Sequence, residues 1–307
     1  MSIGIGLGVA GFPFSSASAF LEWIDLCEER AVDSVWFSER LVSSQPALEP
    51  IAAFGVVAGR TSRLKFGMNA IVLPLRDPLV LAKECATLDF LSGGRLLPVF
   101  GVGSDLAPEF RGTSRSPEGR GRQADEMIEI LSKLWSEEHV NFAGKHYTYT
   151  DVTISPRPVQ QPLPLWIGGS SPAAIRRTAR LGSGWLGGVQ TPKQVAPVIA
   201  AIRAATAEAG RTIDADHYGA GFAFRFGTPD DPPAARAAAG LARIGPGVDP
   251  LSLMAVGDAD TVAGRIEEFI AAGASKFVLR PIGEDDADTM LQTQRLVEEV
   301  VPRFAGR

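Results

Sequence analysis

Cysteine is scarce: Cys27 and Cys85 are the only two in 307 residues. Two thiols in so long a chain give no disulfide framework, and a reducing, cytoplasmic location is expected. Histidine is nearly as rare, with three in all, His139, His146 and His217. Neither H-E-x-x-H nor C-x-x-C occurs, so no metal site is expected. No apolar run reaches the roughly 18 residues of a membrane span, and Met1-Ser2-Ile3-Gly4 opens neither a basic nor a long apolar leader. Basic residues are not in excess: 30 Lys and Arg against 35 Asp and Glu leave a formal charge of −5. Such a chain has no bulk attraction to nucleic acid or anionic membranes. The G-x-S-x-G elbow and the G-x-x-x-x-G-K-[ST] loop are also missing, against α/β-hydrolase and P-loop chemistry. What remains is a folded chain, 45% hydrophobic and 21% charged, whose partner is expected to be a small molecule.

Glycine and proline, 33 and 22 of them, punctuate what is present. Short apolar runs at Ile3–Val9, Ser34–Phe37, Leu64–Val72, Leu96–Val102, Leu165–Ile167, Gly184–Gly187, His217–Phe226 and Lys276–Leu279 read as strands. Helical patterns separate them. Ser18 can cap the first, Pro46–Gly59 holds the second, and Met127, Ile128, Leu131, Leu134 and Trp135 share one face of another. Alternation over Val140–Ile154 around Ala143-Gly144-Lys145 reads as a β-hairpin. The last helix is expected over Thr289–Phe304. Strands separated by helices imply parallel pairing with right-handed crossovers. Eight of them predict one α/β domain over residues 1–307, a (β/α)₈ TIM barrel with insertions after strands four and seven. A doubly wound open sheet is the competing architecture.

Barrels work at the C-terminal ends of their strands. After strand one, Gly6-Leu-Gly8-Val-Ala-Gly11 matches G-x-G-x-x-G. Phe12-Pro13-Phe14 then delays the helix whose amides should meet a pyrophosphate, so a dinucleotide site is disfavoured. Strand two ends in Glu39-Arg40, a proton relay or an ion pair on the rim. Asn69 in strand three needs partners for its amide, from a ligand or from the core. Gly101-Val-Gly103-Ser104 after strand four admits a flat ligand close to backbone, or is a simple turn. Gly168-Gly169-Ser170-Ser171-Pro172 after strand five can bind an anion at a helix N-terminus, or merely cap that helix. With no nucleophile constellation, a bound cofactor is expected to carry the chemistry.

Several segments in order resemble the bacterial-luciferase-like flavin and deazaflavin oxidoreductases. They are Asp33-Ser-Val-Trp-Phe-Ser-Glu-Arg40, Leu88-Asp-Phe-Leu-Ser-Gly-Gly-Arg95, Gly101-Val-Gly103 with Glu109-Phe110, and Asp125-Glu126-Met127. Pro156-Arg-Pro158-Val-Gln160, Trp166-Ile-Gly-Gly169 and Arg180-Leu-Gly-Ser-Gly-Trp185 complete the set. Ser38-Glu39-Arg40 and Gly93-Gly-Arg-Leu-Leu-Pro98 resemble the subgroup that uses coenzyme F420, a deazaflavin. The resemblance implies a homodimeric barrel with the ring in its mouth and a non-prolyl cis peptide at Asn69-Ala70 behind it. Val72, Gly103 and Ser104 would lie near the ring, and Gly168, Gly169, Ser170 and Ser171 near the phosphate. Glu39 and Arg40 are the expected catalytic pair. Arg40 stands where relatives often carry histidine, and arginine is a poor proton donor. Glu39 is therefore expected to handle the proton, or Arg40 to hold an anionic substrate. Arg225 and Arg280 are candidates for substrate or cofactor tail, or rim ion pairs. The implied reaction is hydride transfer between F420 and a small organic substrate. The alternatives are an FMN-dependent monooxygenase and a non-catalytic flavin-binding protein.

Overall fold

Strands form where short apolar runs stop at glycine, proline or a polar residue, and helices carry the chain back across them. The computed structural model describes residues 2–9, 12–30, 32–245 and 247–307. The first two strands are β1 (Gly4–Val9) and β2 (Ser34–Phe37). The third is broken into β3 (Lys65–Met68) and β4 (Ile71–Val72) by a cis peptide bond at Asn69-Ala70. The fourth is broken into β5 (Leu96–Leu97) and β6 (Val99–Gly101) at Pro98, which has no N–H to give a ladder. An antiparallel hairpin follows, β7 (Val140–Ala143) with β8 (Thr148–Val152), as the alternation predicts. Then come β9 (Trp166–Gly168), β10 (Gly184–Val189), β11 (Tyr218–Phe226), β12 (Met254–Gly257) and β13 (Lys276–Pro281).

All the other pairings are parallel. β13 pairs β1, β1 pairs β2, and β2 pairs β3. β3 pairs β5 while β4 pairs β6, so the two broken strands lie side by side along both halves. β6 pairs β9, and β9, β10, β11 and β13 follow in turn. The eight strands return to their start, and the open sheet is excluded. Residues Trp36, Val99, Trp166, Leu186 and Val278, from five different strands, pack together inside this ring. Trp36 fits because glycines face it. A Cβ on Gly67 would lie 2.3 Å from its ring, and one on Gly6 would lie 2.8 Å from its Nε1. Gly6 in the G-x-G-x-x-G match thus serves barrel packing; Gly11 of that match lies outside the described residues.

The helices are α1 (Ala17–Glu29), α2 (Pro50–Arg60), α3 (Pro78–Ser92), α4 (Pro108–Gly112) and α5 (Arg120–Ser136). After them come α6 (Pro172–Leu181), α7 (Pro192–Glu208), α8 (Pro232–Ile244), α9 (Ala259–Ala271) and α10 (Asp286–Arg295). They bury one face against the outside of the ring. Phe54 of α2 stacks between Phe37 and Phe66 at 5.0 and 5.3 Å, and Trp23 of α1 donates to Thr293 of α10 at 2.9 Å. Three boundaries differ from the sequence reading. The first helix is capped by Ser16, not Ser18. The second starts at Pro50, because the Glu49 side chain caps it there. The closing helix gives way at Leu296 to a π-turn and a 3₁₀ turn ending at Phe304, with Pro302 in the last turn. No described helix is long and apolar enough to cross a membrane.

Candidate active site

A cavity of about 480 Å³ opens at the C-terminal ends of strands three to six. Asn69, Ala70 and Val72 form its wall from strand three, and Val99, Gly101, Val102 and Gly103 from strand four. Gly168, Gly169, Ser170 and Ser171 contribute from strand five, and Leu186, Gly187 and Gly188 from strand six. Six of these residues are glycine, so much of the wall is backbone. Gly103 has φ +70° and packs so tightly that a Cβ there would lie 2.9 Å from Cγ1 of Val72. The Gly168 position faces Ala70, whose Cβ would be 3.7 Å from an added Cβ. A flat ring can therefore lie against main chain on opposite sides.

At one end of the cavity the chain turns into α6. Ser171 caps that helix, accepting from the Ala174 N–H at 3.2 Å, and Ser170 donates to Gln190 Oε1 at 2.7 Å. Trp185, fully buried, donates to the Gly169 carbonyl at 2.7 Å and fixes the turn. The helix dipole and the amides of its first turn favour an anion at this point. Capping and anion binding are compatible here, since the cap engages a single N–H.

Glu39 does not face this cavity. One carboxylate oxygen accepts from the Val72 N–H at 2.7 Å, and the other takes both Nε and Nη2 of Arg76. Its side chain is 1% exposed. Burial pushes the carboxyl above the ordinary carboxylate range, and the Arg76 guanidinium pulls the other way. Arg76 also pairs with Glu49 at 2.5 Å. Glu39 thus ties strand two, the α2 cap and the backbone just after the cis peptide into one knot. Both oxygens are engaged in this knot, and Glu39 is not among the residues that line the cavity.

The remaining expected residues divide. Arg40 is exposed and outside the cavity lining. Ser104 is outside it too, its hydroxyl accepting from the Leu106 N–H at 3.3 Å. Arg225 is a structural ion pair, held by Asp288 at 2.6 Å, Asp231 at 3.2 Å and the Ile282 carbonyl at 2.8 Å. Arg280 is different. It lines a second cavity of about 340 Å³ at the mouth, with Gly8, Phe12, Gln45 and Pro281 among its neighbours. Burial is the only influence on its ionisation, pushing it below the ordinary arginine range, and no described residue pairs with it. Sequence reading missed Gly187 and Gly188, although they end strand six as other glycine pairs end strands four and five. It also missed Arg120, the first residue of α5.

Asp214, Asp216 and His217 bring ligand-type atoms within 4.8 Å of one another at the opposite end of the barrel. Asp216 lies close enough to act on the buried Lys276, and His217 Nδ1 is already engaged by the Ser183 carbonyl at 2.8 Å.

The closed parallel ring thus carries, at the C-terminal ends of its strands, a glycine-walled cavity with the α6 N-terminus at one end. Residues 5–246 match the model of the luciferase-like monooxygenase family, and the chain belongs to that family. An F420-dependent glucose-6-phosphate dehydrogenase of Kineococcus radiotolerans is 34% identical over 169 residues, 52% of this chain and 49% of that one. The chain spans 60% or less of the length of such curated relatives. A monooxygenase from Streptomyces bottropensis superposes with a TM-score of 0.84 at 21% identity, covering 99% of this chain and 100% of that chain. An F420-dependent secondary alcohol dehydrogenase, solved with an F420–acetone adduct, gives 0.84 at 20% identity over 98% of both. At these identities the structures share the fold.

Proposed function

We propose that the protein is an F420-dependent oxidoreductase acting on a small anionic organic substrate. The observation that carries this reading is the continuous cavity from the Asn69-Ala70 peptide to the α6 N-terminus. Asn69, Ala70, Val72, Gly103 and Gly168 would hold the ring, and Gly169, Ser170 and Ser171 the phosphate. Curated relatives named as F420-dependent dehydrogenases support the cofactor choice. When bound, the deazaflavin supplies the carbon that takes or gives a hydride. Val72, Val99 and Leu186 would give the ring an apolar wall that excludes water, and the glycine backbone would hold it flat. The test is a fluorescence titration. Tighter binding of F420 than of FMN is expected; tighter FMN binding would overturn the cofactor and favour the monooxygenase reading.

Arg280 is the anchor assigned to the substrate anion. A partly buried guanidinium without a carboxylate is costly, and a phosphate or carboxylate in the adjoining cavity answers it. Losing one charged hydrogen bond of about 1.5–3 kcal/mol predicts that Arg280→Ala raises KM about 10- to 100-fold. Deazaflavin affinity should stay at the wild-type value in the same titration. An unchanged KM would remove Arg280 from the site.

The reading includes a cytoplasmic homodimer. Its support is an apolar exposed face on neighbouring helices, with Val56 of α2 50% exposed and Val80, Phe90 and Leu91 of α3 54–66% exposed. Ala52, Gly55 and Gly59 leave the α2 part of that face flat enough for close helix approach. Sedimentation at twice the chain mass is expected, and a monomer at micromolar concentration would count against it.

A further inference from the structure

The second cavity, of about 340 Å³, is walled by the ends of strands one and eight and by the loop after strand two. Val9, Phe12, Pro13, Pro46 and Pro281 make its walls apolar. Among the described residues only two polar side chains line it, Gln45 and Arg280, and Arg280 is its one cation. The Arg280 stem lies against strand one where Gly8 leaves room, since a Cβ on Gly8 would lie 3.6 Å from Arg280 Cγ. On either side of Gln45-Pro46 the same loop exposes Leu41, Val42 and Leu48. A groove beside the cavity shares Pro13 with it and is lined by Glu284, Asp285 and Asp286. Neutral donors answer two of these carboxylates. The Ser15 N–H donates to Asp286 at 2.8 Å, and the Asp288 N–H donates to Asp285 at 2.8 Å. Of the three, only Glu284 faces a described cation, Arg236 at 3.8 Å. The cavity is therefore apolar, holds a single guanidinium and has an acidic neighbour.

These features sort the anions that Arg280 could hold. One planar guanidinium matches one carboxylate, fork to fork. A phosphate monoester carries about −1.5 to −2 charges at pH 7, so a single guanidinium leaves it partly unanswered beside three carboxylates. A sugar would also bring hydroxyls, which lose water against these walls and find few partners there. An apolar or aromatic body meets no such cost and gains by leaving water. We propose that this cavity selects monocarboxylates with an apolar or aromatic body over sugar phosphates. The proposal rests on the reading of Arg280 as the substrate anchor of an F420-dependent enzyme and narrows its substrate class. It separates this chain from the relatives named as glucose-6-phosphate dehydrogenases, the first of which matches over 52% of the chain. The ring cavity draws on strands three to six, and this one on strands one and eight with the loop after strand two. Cofactor and substrate preference are thus written on different strand ends.

The experiment is titration calorimetry on the whole protein, with and without F420. The probes are 4-phenylbutyrate, its neutral counterpart 4-phenylbutanol, and glucose 6-phosphate. The acid should bind about 10-fold or more tightly than either of the other two. Arg280→Ala should bring the acid within about 3-fold of the alcohol while leaving the alcohol unchanged, and Arg280→Lys should restore part of the gap. Should Arg280→Ala not fold, Arg280→Gln removes the same charge with less loss of packing. Phe12→Ala should weaken acid and alcohol alike, by about 3- to 10-fold. Glucose 6-phosphate binding as tightly as the acid would overturn the substrate class and leave the cofactor reading standing. Equal binding of acid and alcohol to the wild type, or no binding of either, would overturn the proposal as well. An acid preference that survives in Arg280→Ala would overturn the assignment to this cavity. Failure of the protein to bind F420 would overturn the cofactor reading, and the ranking of the three probes without F420 would still decide what the cavity selects.

Discussion

Glu39→Ala is expected to lose about 3–5 kcal/mol of folding stability, the usual cost of removing one partner from a buried ion pair. The change strips the Val72 N–H of its acceptor and leaves Arg76 with Glu49 and, at 3.9 Å, Glu84. Because Val72 lines the ring cavity, cofactor binding should weaken in step with stability. Glu39→Gln separates this role from acid–base catalysis. The amide oxygen can still accept from Val72, so a positioning residue should show an intermediate loss of stability and of deazaflavin affinity together. A general acid would instead keep both and lose about 100-fold or more in kcat. Urea unfolding and a fluorescence titration on the two variants give the answer. Glu39→Ala as stable as wild type would refute the positioning role.

The ends of the strands were legible in the sequence because glycine and proline have few structural uses. Gly103, Gly168 and Gly169 stand out locally, and all three line the cavity. The expected cis position at Asn69-Ala70 came from family resemblance, since nothing in the local composition distinguishes that peptide; the structure has it there. β12 was invisible. Met254–Gly257 is four residues after a Gly/Pro stretch, and it pairs with Ala223–Phe226, the last part of the nine-residue β11. Only the surplus length of that strand gives it an edge. The charged residues were the least readable. Glu39-Arg40 presents two adjacent charges just past the end of β2, but their surroundings differ. One side chain is buried in the Arg76 knot, and the other is exposed. Arg225 and Arg280 look alike at strand ends. What separates them is Asp288, 63 positions from Arg225 along the chain. Long-range partners of this kind carry no sequence period.

Gly103→Val should abolish cofactor binding over the range where wild type saturates, a loss of at least about 100-fold. Two effects act in the same direction. At φ +70° a β-branched residue is a steric outlier, and the left-handed region alone costs a non-glycine residue about 1–2 kcal/mol. The new Cβ would also meet Val72 Cγ1 at 2.9 Å and Phe110 Cε2 at 3.3 Å, so it cannot settle without displacing a wall of the cavity. Gly93→Ala is the control for strain alone. Gly93 has φ +67° with nothing within 4 Å of an added Cβ, and it ends α3 away from the cavity lining. Its variant should lose about 1 kcal/mol and titrate with deazaflavin as wild type does. Should Gly103→Val not fold, Gly103→Ala carries the same contact with less bulk and should weaken binding about 10-fold. Wild-type affinity in a folded Gly103→Val variant would show that the ring does not lie against strand four.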